Sequence, residues 1–141
     1  PEISWRDPVG PSFIGDMPHS WIGAEYILAV RSLFAYEREA DHSLVIAAGV
    51  AAEWLDEGGE IVVRDLPTHH GRLSYRLRRE GLDSWRMTLD GDVVAPPGGI
   101  IVQPPLPRPL VQVQINGRNS TAFAPEWARC GECPADIVLR S

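Results

Sequence analysis

Two short segments of strictly alternating apolar and polar residues constrain this chain more than any other feature. Every second residue is large and apolar in both segments, and a turn signal lies between them at residues 80–83. Such alternation places the apolar side chains on one face of a β-strand and the polar ones on the other. The segments therefore predict an antiparallel hairpin with one buried and one solvated face. The apolar positions are Leu73, Tyr75, Leu77, Trp85, Met87 and Leu89.

Further apolar runs separated by turn signals extend the β pattern along the chain. Residues 96–99 (Pro-Pro-Gly-Gly) and 116–117 (Asn-Gly) are turn sequences, and residues 50–55 predict a single helical turn. The proline-rich residues 104–109 cannot supply the N–H groups of a strand, so they predict an edge or a connection. About seven or eight short strands at this spacing favour an antiparallel β-sandwich over a parallel sheet. The other predicted strands are centred on residues 44–46, 61–63, 100–102, 111–115 and 137–139.

A helical period precedes the β pattern, from about His19 to Glu39, after a helix-start signal at Asp16 and Pro18. Two apolar faces lie side by side on this helix, whereas a helix packed on one sheet needs only one stripe. We therefore expect a second covering, either a missing partner or the irregular residues 1–15 folded back. The first face holds Ile22, Tyr26, Ala29, Val30 and Leu33, and the second holds Trp21, Ala24, Leu28 and Ala35.

These patterns predict two parts, residues 1–40 with the irregular segment and the helix, and residues 41–141 with the β-sandwich. The chain begins at Pro1 rather than Met, which we interpret as an excised fragment or a processed product of a longer polypeptide. All 13 basic residues are arginine, which we interpret as the codon bias of a GC-rich bacterium.

The charge and the hydrophobic pattern exclude two classes of partner. The chain has 19 acidic and 13 basic residues, a net charge of −6, and no basic cluster. An acidic domain repels phosphate backbones, so nucleic acid is not an expected partner. No segment approaches the eighteen or so apolar residues that span a bilayer, so no membrane partner is expected either.

Cys130 and Cys133 have the spacing of half a zinc site, but a structural site normally needs four ligands. His69 and His70 are the residues that could in principle complete the set. A loop closed by a disulfide and two free thiols are the other interpretations. We therefore predict no metal and no cofactor.

Five tryptophans raise the question of sugar binding, because flat aromatic rings stack on the apolar faces of pyranoses. Trp85 lies on the apolar side of its predicted strand, and Trp54 lies in an apolar run. Both are predicted to be in the core. Trp5 and Trp127 lie in segments predicted to be irregular and are better candidates for exposure. No pair of facing carboxylates, as glycoside hydrolysis usually needs, is evident, so no catalytic residue is predicted.

Four stretches carry a family resemblance. They are residues 15–21 (Gly-Asp-Met-Pro-His-Ser-Trp), 32–39 (Ser-Leu-Phe-Ala-Tyr-Glu-Arg-Glu), 63–68 (Val-Arg-Asp-Leu-Pro-Thr) and 71–75 (Gly-Arg-Leu-Ser-Tyr). The chain from about residue 15 onwards resembles the C-terminal region of bacterial α/α-toroid glycosidases. This is the α-L-rhamnosidase-like group, which includes proteins described as coagulation factor 5/8 type. In that group the last toroid helix is followed by a C-terminal β-sandwich.

The resemblance implies that residues 16–39 form the final toroid helix. It also implies that His19, with its neighbour Trp21, lines the sugar pocket, the alternative being that His19 only helps to start the helix. The general acid and base of the group lie on earlier barrel loops, so the resemblance implies that this chain cannot hydrolyse a glycoside alone. The Cys130 and Cys133 pair departs from the pattern of the group.

We therefore expect a non-catalytic C-terminal module that buttresses an upstream catalytic domain of the same polypeptide. The predicted substrate-binding residues are His19, Trp21 and Trp127. The alternative function is a stand-alone carbohydrate-binding module, which needs solvent-facing aromatic residues such as Trp5 or Trp127. A small enzyme is the third and least favoured function. For the helix, a dimer through its exposed face is the alternative to covering by the upstream domain.

Overall fold

The computed structural model describes residues 20–141 of the chain. The predicted irregular segment 1–15, the helix-start signal at Asp16 and Pro18, and the candidate pocket residue His19 lie outside the described residues. The predicted helix from its second residue onwards and the whole of the predicted sandwich lie within the described residues.

The chain divides into two compact units, one that ends at Ser32 and one that runs from Leu33 to Ser141. Every strand of the described chain belongs to the second unit. This division comes before the boundary predicted after residue 40, because residues 35–38 are part of a sheet. That residues 1–40 end an upstream toroid stays a prediction.

Two sheets pack face to face around one core, which confirms a mainly β antiparallel sandwich preceded by one helix. The described chain has eleven strands, more than the seven or eight expected. The six-stranded sheet contains, in order, β3 (Glu60–Thr68), β4 (Gly71–Gly81), β5 (Ser84–Gly91), β11 (Ala135–Arg140), β7 (Gln112–Ile115) and β8 (Arg118–Ser120). The five-stranded sheet contains, in order, β1 (Ala35–Arg38), β2 (Ser43–Ile46), β6 (Ile100–Val102), β10 (Trp127–Cys130) and β9 (Phe123–Ala124). Neighbouring strands are antiparallel except for the parallel pair β2 and β6.

The predicted hairpin is formed by β4 and β5. Tyr75 lies opposite Leu89, and Leu77 lies opposite Met87. All six apolar residues that predicted the hairpin are at most 3% exposed, whereas the residues between them are half-buried or exposed. The alternation therefore builds the core with one face of the hairpin and leaves the other face polar.

The helix α1 spans Ser20–Phe34 and is shorter than its sequence pattern predicts. Residues 35–38, predicted to be helical, form β1 instead. Ala35 is fully buried and lies opposite Ile46 of β2. Pairing with β2 supplies backbone hydrogen bonds and burial at once, so a long-range contact overrides the local helical period.

Leu33 and Phe34, the last two residues of α1, are hydrogen-bonded to the sandwich. The Leu33 carbonyl accepts a bond from the Gly49 N–H at 3.0 Å. The Phe34 carbonyl accepts one from the Ala47 N–H at 2.9 Å and one from the Tyr75 hydroxyl at 3.0 Å. Burial of Tyr75 raises the pKa of its hydroxyl. A Cβ at Gly49 would lie 2.6 Å from the Leu33 Cα, so this contact requires glycine.

The predicted turns are present. Asn116 and Gly117 join β7 to β8 with φ values of 50° and 76°, as an Asn-Gly hairpin turn requires. Gly99 has a φ of 79° and donates its N–H to the Pro96 carbonyl at 2.8 Å before β6 begins.

The two irregular elements also match their sequence signals. Of residues 50–55, predicted to form a helical turn, residues 52–55 belong to a 3₁₀ helix at Ala52–Gly58 and residues 50–51 precede it. The proline-rich residues 104–109 form no strand and lie between β6 and β7, where they serve as a connection.

Candidate functional site

The three residues predicted to bind substrate fall in three different settings. His19 lies outside the described residues. Trp21 lies in the first turn of α1, in the unit that ends at Ser32, and is 63% exposed. Trp127 is the first residue of β10, in the unit that begins at Leu33. The pairing of Trp21 with His19 in a sugar pocket therefore stays a prediction.

Trp127 is half-buried and lies in a strand, so the expectation of an irregular segment at this position is wrong. It pairs with Ala124 of β9 at the edge of the five-stranded sheet. Two residues on, Arg129 places its guanidinium carbon 5.9 Å from the centre of the Trp127 ring. Residues two apart in a strand share a face, which explains this cation–π contact. A sugar stacked on Trp127 would have to use the ring surface that Arg129 leaves open.

Trp85 and Trp54 differ, although both were predicted to be in the core. Trp85 is buried, which confirms the prediction, but Trp54 is 45% exposed, which contradicts it. The 3₁₀ helix buries Leu55 and turns its neighbour Trp54 outward. The Trp54 ring stacks on Phe34 with the ring centres 6.3 Å apart. An aromatic pair thus joins the last residue of α1 to the 3₁₀ helix.

The surface of α1 is apolar on more than one side, and no residue of the helix is buried. Trp21 apart, six large apolar side chains are each between 36% and 71% exposed. A helix with this much uncovered apolar surface differs from an amphipathic helix packed by a single stripe. No helix among the described residues has the length and apolar character needed to cross a bilayer. The six residues are Ile22, Tyr26, Ile27, Leu28, Val30 and Leu33.

Cys130 and Cys133 are free thiols at the passage from β10 to β11. The Cys130 thiol is buried and donates to the Glu132 carbonyl at 3.1 Å. Burial raises the pKa of both thiols, and because thiolates ligate metals and attack disulfides, these cysteines are poorly suited to either role. Among residues 20–141, no group of three or more His, Cys, Asp or Glu side chains is placed to hold a metal ion.

A polar surface covers the side of the six-stranded sheet that points away from the core. We call it the outer face, and it consists of the alternate strand positions that do not enter the core, with the carboxylates that bond to them. Its position follows directly from the alternation in the hairpin. Its arginines are Arg64, Arg72, Arg76, Arg78, Arg86 and Arg140, and its carboxylates are Glu60, Asp65, Glu80, Asp90, Asp92 and Asp136.

The arginines of the outer face are held by ion pairs with defined geometry. Arg86 forms a bidentate ion pair with Asp136, in which Nε and Nη2 each lie 2.7 Å from a carboxylate oxygen. This contact lowers the pKa of Asp136 and raises that of Arg86. Arg78 binds Glu80 at 2.8 Å, and Arg86 also approaches Glu80 at 3.4 Å, so the pKa of Glu80 is lowered. Such pairs fix the guanidinium planes, although partly exposed pairs add little stability.

A row of amide side chains continues the outer face onto β7 and β8. Gln112 and Gln114 both donate to the Asn119 side-chain oxygen, at 3.2 and 3.1 Å. Arg140 of β11 donates to the Gln112 side-chain oxygen at 2.9 Å, which links the amides to the arginines. Amide groups both donate and accept hydrogen bonds, whereas guanidinium groups only donate.

A shallow groove of about 470 Å³ lies among the arginines. Its walls come from three neighbouring strands, β4, β5 and β11. The alternation in the hairpin sequence puts Arg72, Arg76 and Arg78 on one strand face, but Arg86 and Asp136 join them only through strand order, which is a long-range property. The groove is lined by Arg76, Arg78, Arg86, Thr88 and Asp136.

Comparison of the chain with protein-family models, with curated proteins and with solved structures finds no match.

Proposed function

We propose that this chain is a non-catalytic C-terminal β-sandwich module of a larger glycoside-hydrolase-like, carbohydrate-active protein. In this proposal α1 is the last helix of an upstream catalytic domain of the same polypeptide, and the sandwich braces that domain. The observation that carries the proposal is the uncovered apolar surface of α1. The resemblance of residues 15–21 and 32–39 to the toroid glycosidases is the reason for proposing a glycosidase-like catalytic domain as the partner.

The energetics of α1 favour a covering. Burying one large apolar side chain stabilises a protein by roughly 1.5–3 kcal/mol relative to leaving it exposed. Six such side chains on one helix therefore represent a large unused stabilisation. We favour helices of the same polypeptide as the covering, because a domain joined through α1 would be held next to this surface at high effective concentration.

The junction between α1 and β1 supports a bracing role. Phe34 ends the helix and Ala35 begins the strand, with no loop between them. The carbonyls of the last two helical residues accept hydrogen bonds from the sandwich. Each hydrogen bond of this kind contributes about 0.5–1.5 kcal/mol net, so separating the helix end from the sandwich would be costly.

In the same proposal the sugar-binding contribution of this chain comes from His19 and Trp21, and the catalytic acid and base belong to the upstream domain. The chain alone would then be inactive. A dimer through the α1 surface is the competing way to cover the helix, and it would leave the sandwich without a bracing role.

The experiment compares the isolated chain with the complete polypeptide that contains it. We expect the complete polypeptide to hydrolyse an aryl glycoside, with α-L-rhamnoside first in the panel, and the isolated chain to be monomeric and inactive. Ile27→Asp should lower the melting temperature of the complete polypeptide and leave that of the isolated chain almost unchanged. Leu82→Asp is the matched control, since Leu82 is an exposed apolar residue of the hairpin turn.

Two outcomes would contradict the proposal. A stable dimer of the isolated chain that Ile27→Asp dissociates would assign the helix surface to self-association. Equal effects of Ile27→Asp in the isolated chain and in the complete polypeptide would mean that no other domain covers α1.

A carbohydrate-binding module is the second candidate, and the half-buried Trp127 at the sheet edge is the observation that favours it. Calorimetric titration of the isolated chain against plant and bacterial polysaccharides tests it, with Trp127→Ala as the variant. Binding that is lost in Trp127→Ala would support this function. Absence of binding by the folded chain would remove it.

A further inference from the structure

Two like charges lie directly opposite each other on the outer face. Arg78 of β4 and Arg86 of β5 are cross-strand partners. Like charges in this position destabilise a sheet, and here a single carboxylate, Glu80, contacts both guanidinium groups. The outer face as a whole carries six of the 13 arginines of the chain, together with six carboxylates. Guanidinium groups only donate hydrogen bonds, so a face on which they are concentrated suits a ligand rich in acceptors, such as an anion.

The ion pairs leave guanidinium donors available. Arg76 contacts Glu60 through Nη1 alone, and Arg78 contacts Glu80 through Nη2 alone. Within the described part of the chain, the remaining N–H groups of these two arginines have no acceptor. Both side chains come from one strand and line the same groove, and an ion pair holds each of them there. A carboxylate is the group that a guanidinium edge binds best, through two parallel hydrogen bonds.

The amide row restricts the kind of anion. Gln114 lies opposite Val138, which in turn lies opposite Arg86, so amides and arginines occupy one line across the strands. Hydroxyl groups need neighbours that both donate and accept, which amides do. A ligand that fits both parts carries carboxylates and hydroxyls along one extended chain. The six strands span about 24 Å, which is room for several sugar units.

We propose that the outer face binds an acidic polysaccharide, with uronate carboxylates on Arg76 and Arg78 and sugar hydroxyls on Gln112, Gln114 and Asn119. The choice of a glycan as the polyanion rests on the proposed function. An acidic peptide would pair with a sheet edge through its backbone, but the backbone of this face is paired within the sheet. A nucleic acid chain would be stacked on aromatic rings, and the described residues of this face include none.

The experiment is a calorimetric titration of the 141-residue chain with polygalacturonate at low ionic strength. The matched ligand is the same polymer with its carboxylates fully methyl-esterified. We expect binding to the acidic polymer, little or none to the ester, and loss of binding at high salt. The variant R76Q/R78Q should weaken binding at least about tenfold, since hydrogen bonds to charged groups are the strong ones.

Two further variants separate recognition from general charge. R108Q/R118Q removes the same charge away from the outer face, and binding should change less than about twofold. Glu80→Gln removes the carboxylate that competes for Arg78 and Arg86, so binding should become several-fold tighter. A purely structural role for Glu80 predicts the opposite sign.

The proposal is overturned if the acidic and esterified polymers bind alike, if both double variants weaken binding equally, or if a DNA oligonucleotide binds as tightly as polygalacturonate. The proposed function fails separately, since the Ile27→Asp test concerns α1 and involves no residue of the outer face. Loss of binding in R76Q/R78Q without a change in melting temperature supports the proposal.

Discussion

The β4–β5 hairpin and α1 both show strong periodicity in the sequence, yet the apolar residues of the hairpin are buried and those of α1 are exposed. In the hairpin, Leu77 and Met87 are fully buried against the second sheet. In α1, Ile27 and Leu28 keep more than half of their surface exposed. Periodicity reports which side chains share a face, but it does not report whether the chain itself supplies what covers that face. The sandwich supplies its own covering, and the helix is the part for which we propose an external one.

The largest effect should come from the core of the hairpin. Leu77→Ala should destabilise the chain by about 2–5 kcal/mol, because it removes buried methyl groups and leaves a cavity. Leu28→Ala in α1 should change the free energy of unfolding by less than about 0.5 kcal/mol. Urea denaturation of both variants measures the contrast. Similar losses for the two would show that α1 is packed as tightly as the core.

The next effect tests the junction between helix and sandwich. Gly49→Ala places a Cβ 2.6 Å from the Leu33 Cα, so the helix end must shift, at a cost of about 1–3 kcal/mol. Gly131→Ala is the control, since a Cβ there meets nothing within 4 Å. Thermal unfolding of the two variants gives the comparison. An unchanged melting temperature for Gly49→Ala would mean that Gly49 does not pack closely against Leu33.

Tyr75→Phe should cost about 1 kcal/mol, through loss of the hydrogen bond to the Phe34 carbonyl. Burial raises the pKa of the Tyr75 hydroxyl, so the unfolded chain loses this proton near pH 10 while the folded chain still holds it. Folding stability should therefore fall above pH 10 in the parent chain. The difference between the parent chain and Tyr75→Phe should shrink over the same range. Urea midpoints measured from pH 8 to pH 11 test this, and a constant difference would contradict it.

The smallest effect concerns the outer face. The Arg86 contact lowers the pKa of Asp136 below its ordinary value of 3.8, so its contribution to stability is present above that value. It is lost as the pH falls through the lowered pKa of the folded state. Asp136→Asn should therefore flatten the acid limb of the stability profile. The same flattening in Asp83→Asn, a more exposed carboxylate, would show that the effect is not specific to the Arg86 contact.

The sequence predicted those features that depend on neighbours in the chain. The hairpin and the Asn116–Gly117 turn are local, and both were predicted correctly. The end of the helix was predicted wrongly, because Ala35 pairs with Ile46 of β2 and so belongs to a strand. The helical period of the local sequence carries no information about this pairing. The strand at Trp127 was missed because a four-residue strand paired with a two-residue strand shows no measurable alternation.

The candidate sites show the same limit. The exposure of Trp54 depends on which residue of a 3₁₀ turn enters the core, and an apolar run does not encode that choice. The groove on the outer face depends on β11 lying beside β5, forty residues apart or more along the chain. The arginines of β4 were visible as a face in the sequence, but their neighbours Arg86 and Asp136 were not.

Hydrogen–deuterium exchange of the α1 amides, in the isolated chain and in the complete polypeptide, tests the central claim most directly. An isolated helix of fifteen residues is marginally stable, so the amides of residues 24–30 should exchange quickly in the isolated chain. In the complete polypeptide the same amides should exchange at least about a hundredfold more slowly, because a packed helix opens only with its domain. Equal exchange rates in the two proteins would contradict the account, since they would show that nothing upstream covers α1.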